Sequence, residues 1–146
     1  SRMLSLGNTY NKEELLDFDG RVAKHNGGNA YNYTAELKFD GFAIALRYAN
    51  GELVQAITRG DGTQGDDVTA NVKTVKNIPH QLTGDIPENI EVRGEMFIHK
   101  AAFAKLNEQR ARNGEDLYKN PRNTAAGTIK LQNSAEVARR PLDGFM

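Results

Sequence analysis

The chain has 146 residues, 38% of them apolar and 26% charged, and its 19 lysines and arginines balance 19 aspartates and glutamates to a formal net charge of zero. That length suits one soluble, intracellular globular domain with a core of its own, and the lack of cysteine excludes a disulfide scaffold, a cysteine nucleophile and a thiolate metal site. No stretch approaches ~18 consecutive apolar residues, Ser1-Arg2-Met3-Leu4 lacks a signal-peptide layout, and zero net charge argues against nucleic-acid binding by bulk electrostatics alone.

In chain order, Asn11 followed by Glu14 forms a capping-box pattern. Leu15, Phe18 and Val22 then recur at helical spacing, which predicts a helix over about 12–24. Ala35 to Tyr48 alternates as a strand, with Phe42, Ile44, Leu46 and Tyr48 on one face and Glu36, Lys38 and Asp40 sharing a face before Gly41. Asn50-Gly51 between this run and Glu52–Arg59 predicts a two-residue hairpin loop. Its register pairs Ala49 with Glu52, Tyr48 with Leu53, Ile44 with Ile57 and Phe42 with Arg59, bringing Arg59 toward Lys38–Gly41. Gly60 to Asp67 reads as a loop, and Val68, Val72 and Val75 as a short helix. Ile90 to Ile98 reads as a strand with Glu91, Arg93 and Glu95 on one face and Gly94 on the other. A helix follows over about 100–112. Another starts at Asn120-Pro121, with proline at its first position, and runs to about Gln132. Pro141-Leu142 opens a further strand close to Met146, the first sign of a fragment.

Lys38 is the residue with the most chemistry in it. A lysine amine attacks phosphorus only when neutral, and with a reference pKa of ~10.4 roughly one in a thousand is neutral near pH 7.5. A nearby cation such as Arg59 raises that fraction. An exposed strand lysine between acidic neighbours has the same pattern. Glu91-Val92-Arg93-Gly94-Glu95 is either a face for a ribose or a metal-bound phosphate, or a self-paired polar face. Arg59 to Asp67 is not an EF-hand, since Gly65 replaces an oxygen ligand, and it lacks the P-loop's Gly-Lys-Ser/Thr ending. The helix start at Asn120–Gly127 favours an anion, with Arg122 and Lys130 adding positive charge, or else packs closely through its small residues. His25, His80 and His99 have no metal-ligand spacing.

Lys38-Phe39-Asp40-Gly41 resembles the Lys-x-Asp-Gly signature of covalent nucleotidyltransferases. Four further segments resemble, in order, the adenylation domain of bacterial NAD-dependent DNA ligases: Met3-Leu4-Ser5-Leu6, Thr58–Thr63 with Gly65, Glu91–Glu95, and Asn120–Asn123 with Ala125-Ala126-Gly127. The resemblance covers essentially the whole chain. It implies an α+β fold of antiparallel sheets flanked by helices, the truncated covalent nucleotidyltransferase (ATP-grasp-like) adenylation fold. It also implies nick sealing in replication and repair through a lysyl–AMP intermediate, with Lys38 as the nucleophile on NAD and Asp40 beside it. By the same resemblance Ser5, Leu6, Glu36, Arg59 and Glu95 contact the nucleotide, and Arg122 and Lys130 contact phosphate. Lys130 stands where many relatives carry arginine.

Mg2+ is the implied metal, held by phosphates and water with no ligand set in this chain. The family's Zn2+ belongs to a zinc finger outside it. The implied partners are NAD or AMP and nicked duplex DNA, in a cytoplasmic monomer with no membrane contact. The domain that grips nicotinamide mononucleotide, the late adenylation motifs, and the oligonucleotide-binding, helix-hairpin-helix and BRCT regions have no counterpart in the sequence. The 146-residue chain alone is therefore expected to transfer little or no AMP.

Overall fold

The computed structural model describes Met3 and residues 7–146. Two units are present: one of Met3 with Phe39–Met146, and a second, Leu4–Lys38, of which residues 7–38 are described.

The second unit is built on α1 (Lys12–His25). Asn11 caps it as the sequence predicts: its Oδ1 accepts from the Glu14 N–H at 2.8 Å, and Glu14 reaches back to the Tyr10 N–H at 2.8 Å. Tyr31 and Tyr33 both donate to Asp19 Oδ1, at 2.8 and 2.9 Å. The bond to the carboxylate, with desolvation, pushes the Tyr31 phenol pKa up, and desolvation, with the same carboxylate, pushes that of Tyr33 up. The apolar stripe of α1 does not make a core, because no residue of the helix is buried.

The first unit is a four-stranded antiparallel sheet in the order β2-β1-β3-β4, with β1 at Phe42–Ala49, β2 at Glu52–Thr58, β3 at Asn89–Ile98 and β4 at Leu142–Phe145. Asn50 (φ 49°) and Gly51 (φ 82°) both adopt left-handed backbone, as a type I′ turn requires. Ala49 pairs Glu52 and Tyr48 pairs Leu53, as predicted. Beyond that point the predicted register is wrong by one residue. A bulge at Val54 puts Arg47 opposite Gln55, Ala45 opposite Ile57 and Ile44 opposite Thr58. Ala56 and Thr58 therefore face the core in place of Gln55 and Ile57. The edge of β2 is covered by the chain that follows: Thr69 Oγ1 accepts from the Ala56 N–H at 2.8 Å, and the Val68 N–H donates to the Ala56 carbonyl at 2.9 Å.

The strand predicted from Ala35 starts only at Phe42, so Glu36, Lys38 and Asp40 do not share a strand face. Gly41 supplies a reason. A Cβ there would lie 2.0 Å from the Met96 carbonyl oxygen, so the chain passes too close to β3 to extend the ladder with an ordinary residue.

Helices α2 (Thr69–Val72), α4 (Pro121–Thr128) and α5 (Ser134–Ala138) contribute to one core with the sheet. Ile44, Leu46, Val72, Met96, Ile129 and Val137 are its largest fully enclosed side chains, each contributing about 1.5–3 kcal/mol by burial. α3 (Lys100–Arg112) matches its predicted span and buries no residue. α4 stops at Thr128, short of the predicted Gln132. The Asn71 side chain takes the carbonyls of Ile129 and Leu131, at 2.7 and 2.8 Å, and the chain turns into α5, which the sequence reading did not anticipate. No helix among the described residues is long and apolar enough to cross a membrane.

The close approach at Gly41 makes a prediction. Gly41→Ala loses about 1–3 kcal/mol of stability through overpacking against the Met96 carbonyl, measured by chemical denaturation. A variant as stable as the parent would show that this contact relaxes freely.

Candidate functional site

Asp40, Arg59, Glu95 and Arg122, four of the residues singled out in the sequence, lie at one end of the sheet. The Arg59 N–H donates to the Ala43 carbonyl at 3.2 Å, and Ala43 is the register partner of Glu95. Arg59, Ala43 and Glu95 thus form a row across the end of β2, β1 and β3. Asp40 and Gly41 enter β1 at the same end. The Gly41 N–H donates to Glu95 Oε1 at 3.2 Å. Asp40 Oδ1 lies 3.9 Å from Arg122 in the first turn of α4. Asn120 caps that helix, accepting from the Asn123 N–H at 3.1 Å, with Pro121 at its first position. Arg59 and Arg122 are exposed. Phe39 is clamped between Phe97 and Phe145, at ring separations of 4.7 and 4.6 Å, which fixes the chain directly after Lys38.

The remaining predicted residues are placed otherwise. Glu36 and Lys38 are exposed residues of the Leu4–Lys38 unit, outside any helix or strand. Ser5 and Leu6 lie outside the described residues. Lys130 follows α4 and binds Asp66 Oδ2 at 2.7 Å. Asp66 in turn brackets Thr58, the neighbour of Arg59: its N–H donates to Thr58 Oγ1 and its carbonyl accepts from the Thr58 N–H, both at 3.0 Å. Asp66 was not among the sequence candidates. Its signal was present as one acidic residue among several in the loop, but a sequence does not say which of them meets a distant lysine.

The strand Glu91–Glu95 divides into two roles. Glu91 is paired within the sheet, with Arg93 at 2.8 Å and Arg47 at 3.3 Å, and these guanidiniums hold its carboxyl below the usual range. Glu95 also accepts from the Gly41 N–H, at the entry to β1. The acidic loop is also partly structural: Asp61 Oδ1 accepts from the Thr63 and Gln64 N–H groups, both at 2.8 Å, which keeps its carboxyl pKa low. Among the described residues no three His, Cys, Asp or Glu side chains form a group that could hold a metal. With exposed guanidiniums at Arg59 and Arg122, this end of the sheet can take a phosphorylated ligand.

All 146 residues match the family described as the NAD-dependent DNA ligase adenylation domain. The chain is 54% identical over 142 residues to the DNA ligase of Flavobacterium johnsoniae, covering 97% of this chain and 21% of that protein. It is 53% identical over 144 residues to the DNA ligase of Petrotoga mobilis (99% and 21%) and 50% identical over 144 residues to that of Brevibacillus brevis (99% and 21%). The chain thus spans about 21% of the length of these relatives.

The hydrogen bond from Lys130 holds the Asp66 carboxyl below the usual carboxylate range. With the folded pKa below the unfolded one, the pair's contribution to stability is present above the unfolded value and is lost as pH falls through the folded one. In a carbon-13 NMR titration the Asp66 carboxyl of the parent has a midpoint below about 3.9, which Lys130→Ala moves up toward that value. A midpoint unchanged by the substitution would mean that the ion pair does not persist in solution.

Proposed function

The chain belongs to the family of NAD-dependent DNA ligase adenylation domains, and from that membership and the charged end of the sheet we propose that it carries the adenylyl-transfer chemistry of such a ligase. Lys38 is the nucleophile. Its neutral amine attacks the α-phosphorus of NAD; the new P–N bond forms as the P–O bond to nicotinamide mononucleotide breaks. The electron pair leaves on the departing phosphate oxygen and the amine proton passes to solvent. AMP then moves from lysine to the 5′-phosphate of a nick in duplex DNA, and the 3′-hydroxyl displaces it to seal the strand.

The observation that carries this reading is the row of Arg59, Ala43 and Glu95 beside the Asp40–Arg122 pair, at the point where the chain arrives from Lys38. Glu95 accepts from the ribose, Glu36, Ser5 and Leu6 contact the nucleotide, and Asp40 helps to set the protonation of Lys38. Arg59, Arg122 and Lys130 face phosphate oxygens, where positive charge stabilises a phosphoryl group in transfer. Magnesium, when bound, adds charge neutralisation on the phosphates and is held mainly by their oxygens and water. The protein acts in the cytoplasm, as a monomer, on NAD and nicked DNA.

Intact-protein mass tests the proposal. A full-length ligase carrying this segment gains one adenylyl group with magnesium and NAD, gains none with ATP, and loses the gain in Lys38→Ala. The 146-residue chain alone gains little or none. Labelling from ATP alone, or full labelling of the Lys38→Ala protein, would overturn the reading.

A further inference from the structure

Lys130 is held more firmly than a surface lysine needs to be. Its backbone is gripped on both sides, because Asn71 Nδ2 donates to the carbonyls of Ile129 and Leu131 at 2.7 and 2.8 Å. Asn71 is buried, and its Oδ1 accepts from Ser134 Oγ at 2.7 Å, so the amide cannot rotate without losing all three bonds. The ammonium is held by Asp66 at 2.7 Å. Asp66 is itself locked to the end of β2 by its two hydrogen bonds with Thr58. Both partners of the ion pair are more than half exposed, at 53% and 59% of the side chain. Such a pair contributes little to stability, so stability alone does not account for the carboxylate that meets this cation. These residues also line a cleft of about 430 Å³, onto which Thr69, Gln132 and Ser134 open.

We infer that Asn71 and Asp66 are positioning residues that aim the Lys130 ammonium at a phosphate, and that Asp66 is the partner Lys130 leaves when that phosphate arrives. The inference rests on the reading above that Lys130 meets phosphate. Asn71 fixes where the lysine stem begins, and Asp66 fixes where its charge waits, one residue from Arg59. The pyrophosphate of NAD or of an adenylated nick carries two negative charges against the carboxylate's one, so the lysine transfers to it over a short path and with few rotamers to lose. The phosphate belongs either to the nucleotide or to the nick, and the two are separable by assay.

The test uses a full-length ligase carrying this segment, with Asp66→Asn, Asn71→Ala, Lys130→Ala and the double variants that combine Lys130→Ala with each of the others. Two single-turnover rates are measured: self-adenylation from NAD, which involves only the nucleotide phosphate, and sealing of a pre-adenylated nick, which requires the DNA. Lys130→Ala and Asp66→Asn each slow one of these steps by about tenfold or more, and in the Lys130→Ala background the Asp66 and Asn71 changes cost less than about twofold. The step that is slowed identifies the phosphate, and Asp66→Glu restores much of the rate. Asp66 is exposed, so Asp66→Asn remains a fair test if Asn71→Ala fails to fold. Equal losses with and without Lys130 would overturn the positioning role and leave the phosphate reading standing. Lys130→Ala at the parent rate in both assays would overturn the phosphate reading, and this inference with it.

Discussion

A buried amide needs partners for both its N–H groups and its oxygen, and the whole helical face of the sheet is arranged around one that has them. Asn71 sits in α2, 8% exposed, with two hydrogen bonds to carbonyls after α4 and one from Ser134 at the start of α5. An unsatisfied group there would cost about 1–3 kcal/mol, so α2 is fixed by a single side chain to the stretch joining α4 and α5, 58 to 63 residues further on. The consequences run outward. α4 ends where Asn71 takes its carbonyls, α5 begins three residues after Leu131, and Ile129 and Val137 are delivered to the core beside Ile44 and Met96.

The opposite requirement rules the end of the sheet. There Asp40, Arg59 and Arg122 are exposed, and the ion pair between Asp40 and Arg122 is loose, at 3.9 Å with side chains 70% and 55% exposed. Such contacts add little to stability, and that is what a binding surface needs, because a cation in a strong buried pair resists giving up its partner. The scaffold beneath is rigid by contrast. Phe39 is packed between two aromatic rings and Gly41 lies against the backbone of β3, so the residues between which Asp40 stands are among the best-anchored in their unit.

How far the sequence foretold this depends on the range of the interaction. Local chemistry was legible: the Asn11–Glu14 cap, the Asn50-Gly51 turn, the span of α3 and the proline start of α4 each rest on groups a few residues apart. The failures are tertiary. Alternation continues from Ala35 to Tyr48, but no strand partner exists before Phe42. The bulge at Val54 is invisible because Leu53, Gln55 and Ile57 alternate as well as Leu53, Ala56 and Thr58 do in three dimensions; only the cap of Val68 and Thr69 over Ala56 chooses between them. The helical pattern after Thr128 was overridden by an asparagine 58 residues away. In the site, motif likeness pointed to Arg59, Glu95, Arg122 and Lys130, yet nothing in a linear pattern matched Lys130 with Asp66.

The identity of residue 130 bears on how that last pairing works. An ammonium is a compact, strongly hydrated charge on a flexible stem, whereas a guanidinium engages a carboxylate through two parallel bonds. A single carboxylate oxygen at 2.7 Å is enough to hold the lysine, and leaving it breaks one contact. An arginine in a forked pair would have to break two and would keep a preferred plane. On the proposal that Lys130 meets phosphate, the lysine gives up bidentate geometry toward it and gains an easier exit from Asp66. That trade only works if direction is supplied from elsewhere, since the side chain does not supply it. The fixed backbone on either side of Lys130, held by Asn71, supplies it.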